Sequence, residues 1–159
     1  MKKIYILLLA LVLSTNKNLA QTWANSYSCT LTGNSQTFFQ RSAFVIDNLG
    51  NKWMSFNPTT STPMFELIRY NGTTWDSLPH VPSKKIHALA VDASNNLWIG
   101  TDSGLVMYNG GAYTVYNTST SNIGSNIINA IACGGGNIYA ATNGGLCVFN
   151  GTNFTNYTH

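Results

Sequence analysis

A nine-residue phrase, L-x-x-[YF]-N-G-x-x-[WYF], recurs without a gap at residues 67–75, 105–113 and 146–154, opening on Leu67, Leu105 and Leu146. A chain written in copies of one phrase folds as an array of equivalent units, because each unit buries its apolar face against its neighbour. The middle copy shows the unit most clearly. Four runs rich in β-branched, aromatic and small apolar residues, Ile86–Val91, Leu97–Thr101, Leu105–Tyr108 and Tyr113–Tyr116, are separated by segments of Asp, Asn, Ser and Gly, which are turn compositions. This predicts a four-stranded antiparallel meander. The Asn-Gly pair after the third run predicts a tight primed hairpin, since both residues tolerate positive φ.

The flanking copies extend the pattern. Residues 128–132 repeat 86–90, residues 138–142 repeat 97–101, and Trp98 lies 41 positions before its counterpart Tyr139. Upstream, Trp53 precedes Trp98 by 45 positions while Tyr70 precedes Tyr108 by 38, so a longer connection, residues 57–66 with Pro58 and Pro63, absorbs the difference. A period of about 40 to 45 residues with four strands per unit is that of a β-propeller blade. The predicted fold class is all-β: propeller-like blades of four antiparallel strands at about residues 42–82, 84–122 and 126–159, three blades forming an open, incomplete propeller.

The run N-L-W-I-G-T-x-x-G-L-x-x-Y-N-G-x-x-Y at residues 96–113 resembles the blade repeat of the two-component regulator propeller family. That family occurs in exported sensory regions of bacterial hybrid histidine kinases and in secreted proteins. The resemblance extends over residues 42–159, and it implies an extracellular or periplasmic ligand-sensing module, binding more than catalysis.

Residues 1–20 have Lys2 and Lys3, an apolar run of about ten residues from Ile4 to Leu13, and a polar stretch ending in Ala20. This is the layout of a signal peptide cleaved near Ala20, and the run is too short for a stable membrane anchor, which needs about 20 residues. The expected address is the periplasm or the cell exterior. Lys2, Lys3 and Lys17 leave with the leader, so five of the eight basic residues remain against five acidic ones. A neutral mature chain of about 139 residues offers no basic face for nucleic acid. Residues 21–41 precede the first blade, and within them Trp23 to Tyr27 read as a stray outer strand, a hint that the propeller was once longer.

Recurrent aromatics invite a sugar-stacking reading, but their periodicity suits packing better. Trp53, Trp98 and Tyr139 share one repeat position, and Trp75, Tyr113 and Phe154 share another. Propeller blades stack face to face, so a large ring once per unit is read as the knob of an inter-blade joint. Cys29, Cys133 and Cys147 are read as free thiols, because two ladders separate the strands of Cys133 and Cys147 by about 10 Å, beyond the reach of a disulfide.

No catalytic residues are assigned. His80, His87 and His159 have no metal-binding spacing, so neither a metal site nor a cofactor is expected. Asp47, Asp76, Asp92, Asp102 and Glu66 lie in or beside predicted turns, where aspartates usually brace the turn. A propeller hydrolase or lyase is therefore the weakest reading. Successive strands alternate in direction, so the second-to-third-strand turns and the links between blades emerge at one end, and loops on a rigid scaffold carry recognition. Asp102, Asn143 and His80 are the ligand-binding candidates there.

Closed propellers use about 4 to 8 blades. Three leave two open ends, which predicts either missing blades or a homo-oligomer that completes the ring. The expected function is an exported, non-catalytic module for a ligand or a protein, on its own or as a fragment of a larger sensory or secreted propeller; the alternative is a self-assembling structural element.

Overall fold

The computed structural model describes residues 43–55, 67–78, 80–82 and 85–158. The leader, Trp23 to Tyr27, Cys29, His159 and the whole of the 57–66 connection, Glu66 included, lie outside them. Among the described residues there are twelve strands and no helix, hence no helix long and apolar enough to cross a membrane. They form three separate four-stranded antiparallel sheets, each in sequence order. The first comprises β1 (Phe44–Ile46), β2 (Lys52–Ser55), β3 (Leu67–Tyr70) and β4 (Trp75–Ser77). The second comprises β5 (Ile86–Val91), β6 (Leu97–Thr101), β7 (Leu105–Tyr108) and β8 (Tyr113–Tyr116), and the third β9 (Ile128–Gly134), β10 (Asn137–Thr142), β11 (Gly145–Phe149) and β12 (Phe154–Tyr157). The strands of the second sheet have the bounds that its sequence pattern predicts.

Strand alternation sends each side chain to one of two faces, and the sheets stack as blades. Leu97, Ile99 and Val106 of the second sheet join Trp53 and Leu67 of the first in one apolar cluster. Trp98 and Leu105 of the same second sheet join Ile128, Ile138, Cys147, Phe149 and Phe154 of the third in another. The central sheet is thus covered on both faces, and every residue of β6 is buried. Val81 and Ile123, from the links between sheets, close the two clusters.

The Asn-Gly turns differ from the primed hairpin expected. Tyr70 pairs with Trp75 and Tyr108 with Tyr113, so the connection has four residues. Only the glycines, Gly72, Gly110 and Gly151, take positive φ (94 to 104°). The asparagine side chain is the reason. Asn71 Oδ1 accepts the backbone N–H groups of Thr73 and Thr74, Asn109 Oδ1 those of Gly111 and Ala112, and Asn150 Oδ1 those of Thr152 and Asn153. An Asx turn of this kind satisfies two loop donors at once, which a two-residue turn would not. A true two-residue turn with both φ values positive occurs once among the described hairpins, at Gly135 and Gly136 (57° and 78°) between β9 and β10.

Residues at one repeat position do not all have one environment. Leu67 and Leu105 are 1% and 0% exposed, whereas Leu146 is 41% exposed. Their ladders correspond nonetheless: Leu105 pairs with Gly100 and Tyr116, and Leu146 with Ala141 and Tyr157. Tyr139 departs in the same way from Trp53 and Trp98 (37% against 5% and 3%), and Trp75 (37%) from Phe154 (9%). Each exposed member faces outward from an end sheet, where no described sheet lies against it. The knob reading therefore holds for the internal joints and fails at the two ends.

Candidate binding cleft

The aspartates turn out to be struts between strand turn and indole. Asp47 Oδ2 accepts the Trp53 indole N–H at 2.9 Å and the Asn51 amide at 2.8 Å, while its Oδ1 accepts the backbone N–H of Asn51 at 2.9 Å. Asp92 repeats this on Trp98 and Asn96, all three bonds at 2.9 Å. A buried indole N–H needs an acceptor, and the β1–β2 and β5–β6 turns supply one. For both carboxylates burial pushes the pKa up, but donation from asparagine, tryptophan and backbone outweighs it and holds the pKa below its usual value of 3.8. The turn role expected of Asp92 is thus present, and the contact to Trp98 is added to it.

The first two turns are also clamped to each other. The Asn48 backbone N–H donates to Asn95 Oδ1 at 2.8 Å, and the Asn48 side chain donates to the Asp92 carbonyl at 3.0 Å. Asn95 takes part at positive φ (66°), which asparagine tolerates better than most residues. The third sheet breaks this pattern in a coordinated way. Its hairpin is one residue shorter: Ala90 pairs with Trp98 across eight positions, Ala132 with Tyr139 across seven. Gly134 then stands where Asp92 stands, and tyrosine replaces the tryptophan that needed the carboxylate. Ala93, at the place of Asn48, has no side-chain amide to reach across.

With the clamp gone, a cleft of about 460 Å³ opens between the second and third sheets. Its walls are the β5–β6 turn with Ala93 and Ser94, the β9–β10 hairpin with Gly135, and between them Met107, Tyr116 and Cys133. Trp98 and Phe149 form an aromatic floor with Tyr116, ring centroids 5.0 to 5.9 Å apart. Burial, with a smaller contribution from the Asp92 charge, pushes the Cys133 thiol up to about 11. Cys133 and Cys147 are both free. Cys147 is buried, its sulfur accepting the Gly124 N–H at 3.3 Å.

The three residues singled out from the sequence lie at the opposite end. Asp102 and Asn143 occupy equivalent turns of neighbouring sheets, and each is tied to the incoming link: Asp102 N–H to Lys85 O at 3.3 Å, Asn143 N–H to Ile127 O at 3.2 Å. Asn143 also accepts the side-chain amide of Asn129 at 2.9 Å. Asn129 and His87 each fall at a one-residue shift in the first-strand ladder, a bulge that redirects the side chain. His80 is exposed on the link before β5. The cleft went unnoticed in the sequence, although one signal marks it: D-x-x-x-N-x-W occurs at Asp47 and Asp92 and is missing from the third unit.

Comparison with known proteins agrees with this architecture. Residues 80–103 match the two component regulator propeller family. Among solved structures, the extracellular domain of the putative hybrid two component system BT3049 from B. thetaiotaomicron is similar, with 21% identity and a TM-score of 0.54. PorZ, a surface component of the type-IX secretion system of Porphyromonas gingivalis, is similar at 20% identity and a TM-score of 0.53. Each alignment covers 68% of this chain but only 15% and 17% of the respective partner. No curated protein gives a match.

Proposed function

We propose that this chain is an exported, non-catalytic propeller segment that binds a small, neutral, hydroxyl-rich ligand such as a short glycan between its second and third blades. The observation that carries the reading is the cleft itself, opened where the Asn48 clamp has no counterpart. Its walls offer backbone amides and short polar side chains beside the faces of Met107 and Tyr116. Few polar groups set against apolar surface make a binding site. Its one carboxylate, Asp92, already accepts from Trp98 and Asn96, which disfavours a cationic ligand.

The absence of chemistry is inferred from how the acids are used. Asp47 and Asp92 are each engaged by an indole N–H and an asparagine, and Asp76 is paired with Arg69 at 2.8 Å, which suits structural bracing better than catalysis. Export is supported by the leader-like residues 1–20 and by the likeness to an extracellular domain and a surface component.

Ligand-observed NMR against neutral and charged oligosaccharides tests the proposal. Neutral glycans should show saturation transfer that disappears in Cys133→Trp, which places an indole in the cleft, and persists in Cys133→Ser. No transfer from any neutral glycan, or transfer unchanged in a folded Cys133→Trp protein, contradicts it.

A further inference from the structure

The outward face of the third sheet repeats, nearly residue for residue, the face by which the second sheet buries the third. Ala132, Tyr139, Ala141, Leu146, Val148 and Tyr157 stand at the ladder positions of Ala90, Trp98, Gly100, Leu105, Met107 and Tyr116. In the second sheet the first four of these are buried and the last two partly so, all under the third sheet. In the third sheet Tyr139, Leu146 and Tyr157 are 37%, 41% and 57% exposed, and the row contains no charge. A contiguous apolar face of this kind on a soluble protein marks an interface.

The other end of the arc offers the complementary half. The sheets that receive a neighbour do so with one set of positions, which in the second sheet are Leu89, Ile99, Val106 and Tyr108, all within the cluster shared with the first sheet. The first sheet places Phe44, Met54, Ile68 and Tyr70 at those positions, and all four are only half-buried. Trp75 stands beside Tyr70, ring centroids 4.8 Å apart, and is itself exposed.

We propose that the outward face of the third sheet docks onto the β1–β4 sheet of a second copy, head to tail, so that two arcs of three sheets make one ring of six. Six lies inside the range of about 4 to 8 blades that closes a propeller. A heterologous contact of this type gives a finite ring when its rotation closes. The joint has a precedent in the chain, since the counterpart positions on the second sheet already form contacts of this kind with the third and first sheets.

Sedimentation velocity of the leader-free protein tests this. The expected result is a dimer. Leu146→Glu and Ile68→Glu, each changing an end face, should both give folded monomers by circular dichroism, with the dissociation constant raised at least ~100-fold, as for a central apolar contact. Mixing the two variants should restore a one-to-one complex, because one joint then has two unaltered faces. Four results overturn the proposal: a wild-type monomer, open-ended polymers, a dimer sensitive to Leu146→Glu but not to Ile68→Glu, or recovery of the native product from its host with further repeat units in the same chain.

Discussion

Removing one carboxylate tests the strut arrangement. Asp92→Ala leaves the Trp98 indole N–H, 3% exposed, without an acceptor, and frees the Asn96 amide that shares it. A hydrogen bond to a charged group contributes about 1.5 to 3 kcal/mol, and the Asn96 bonds at the turn surface add less. The expected loss is therefore about 2 to 3 kcal/mol, corresponding to a melting point lower by roughly 6 to 15 °C for a domain of this size. Much of that should depend on the indole nitrogen. Trp98→Phe keeps a ring in the joint but has no N–H to satisfy, so in the Asp92→Ala background it should cost little or even stabilise. Urea unfolding followed by far-ultraviolet circular dichroism gives the cycle without relying on the altered fluorophore. A coupling of about 1.5 kcal/mol or more is predicted, and additivity within about 0.5 kcal/mol would refute the role given to Asp92.

The same two carboxylates set the acid limit. Because the pKa values of Asp47 and Asp92 are held below 3.8 in the folded chain, their contribution is complete above that value and is lost as pH falls through the lower folded values. Melting temperature should thus fall steeply below about pH 4, and the Asp47→Asn, Asp92→Asn double variant should start lower and show a flatter acid limb; parallel limbs would count against it. Gly104→Ala meets two obstacles, a φ of 134° and a Cβ driven into the Tyr116 carbonyl, whereas Gly110→Ala has a φ of 96° but open space. The first should cost over ~3 kcal/mol and the second about 1 kcal/mol, so equal losses in denaturant titrations would contradict the turn geometry. With its pKa near 11 against a usual 9.0, Cys133 should alkylate at pH 8 at roughly one hundredth of the rate of a free cysteine. Mass spectrometry of iodoacetamide-treated protein would expose labelling at the free-thiol rate.

How much the sequence reveals depends on whether the information is local. The strand bounds of the second unit follow from alternation and from Asp, Asn and Gly at the turns, because both act within a few residues. The Asn-Gly turns were misread because the pair has two uses: it favours a primed hairpin by backbone torsion, or, as here, an Asx turn through the side-chain oxygen of Asn71, Asn109 and Asn150. Repetition implied that Leu67, Leu105 and Leu146 are equivalent. Their ladders bear that out, but exposure depends on what lies against the sheet, and no repeat unit encodes its own neighbour. The cleft arises from a deletion of one residue combined with the exchanges at Gly134 and Tyr139. Such a gap is visible only when three copies are compared position by position. Asp102, Asn143 and His80 came from topology, which identifies an end of the propeller without saying what a ligand would meet there.

The central claim is that the three units are equivalent sheets of which only the internal joints are covered. Paired truncation at one repeat position tests it, with unfolding measured at a concentration low enough to keep the chain monomeric. Leu105→Ala, at 0% exposure, should cost about 3 to 5 kcal/mol, and Leu146→Ala, at 41%, under about 1 kcal/mol. Similar losses at the two leucines would contradict the account.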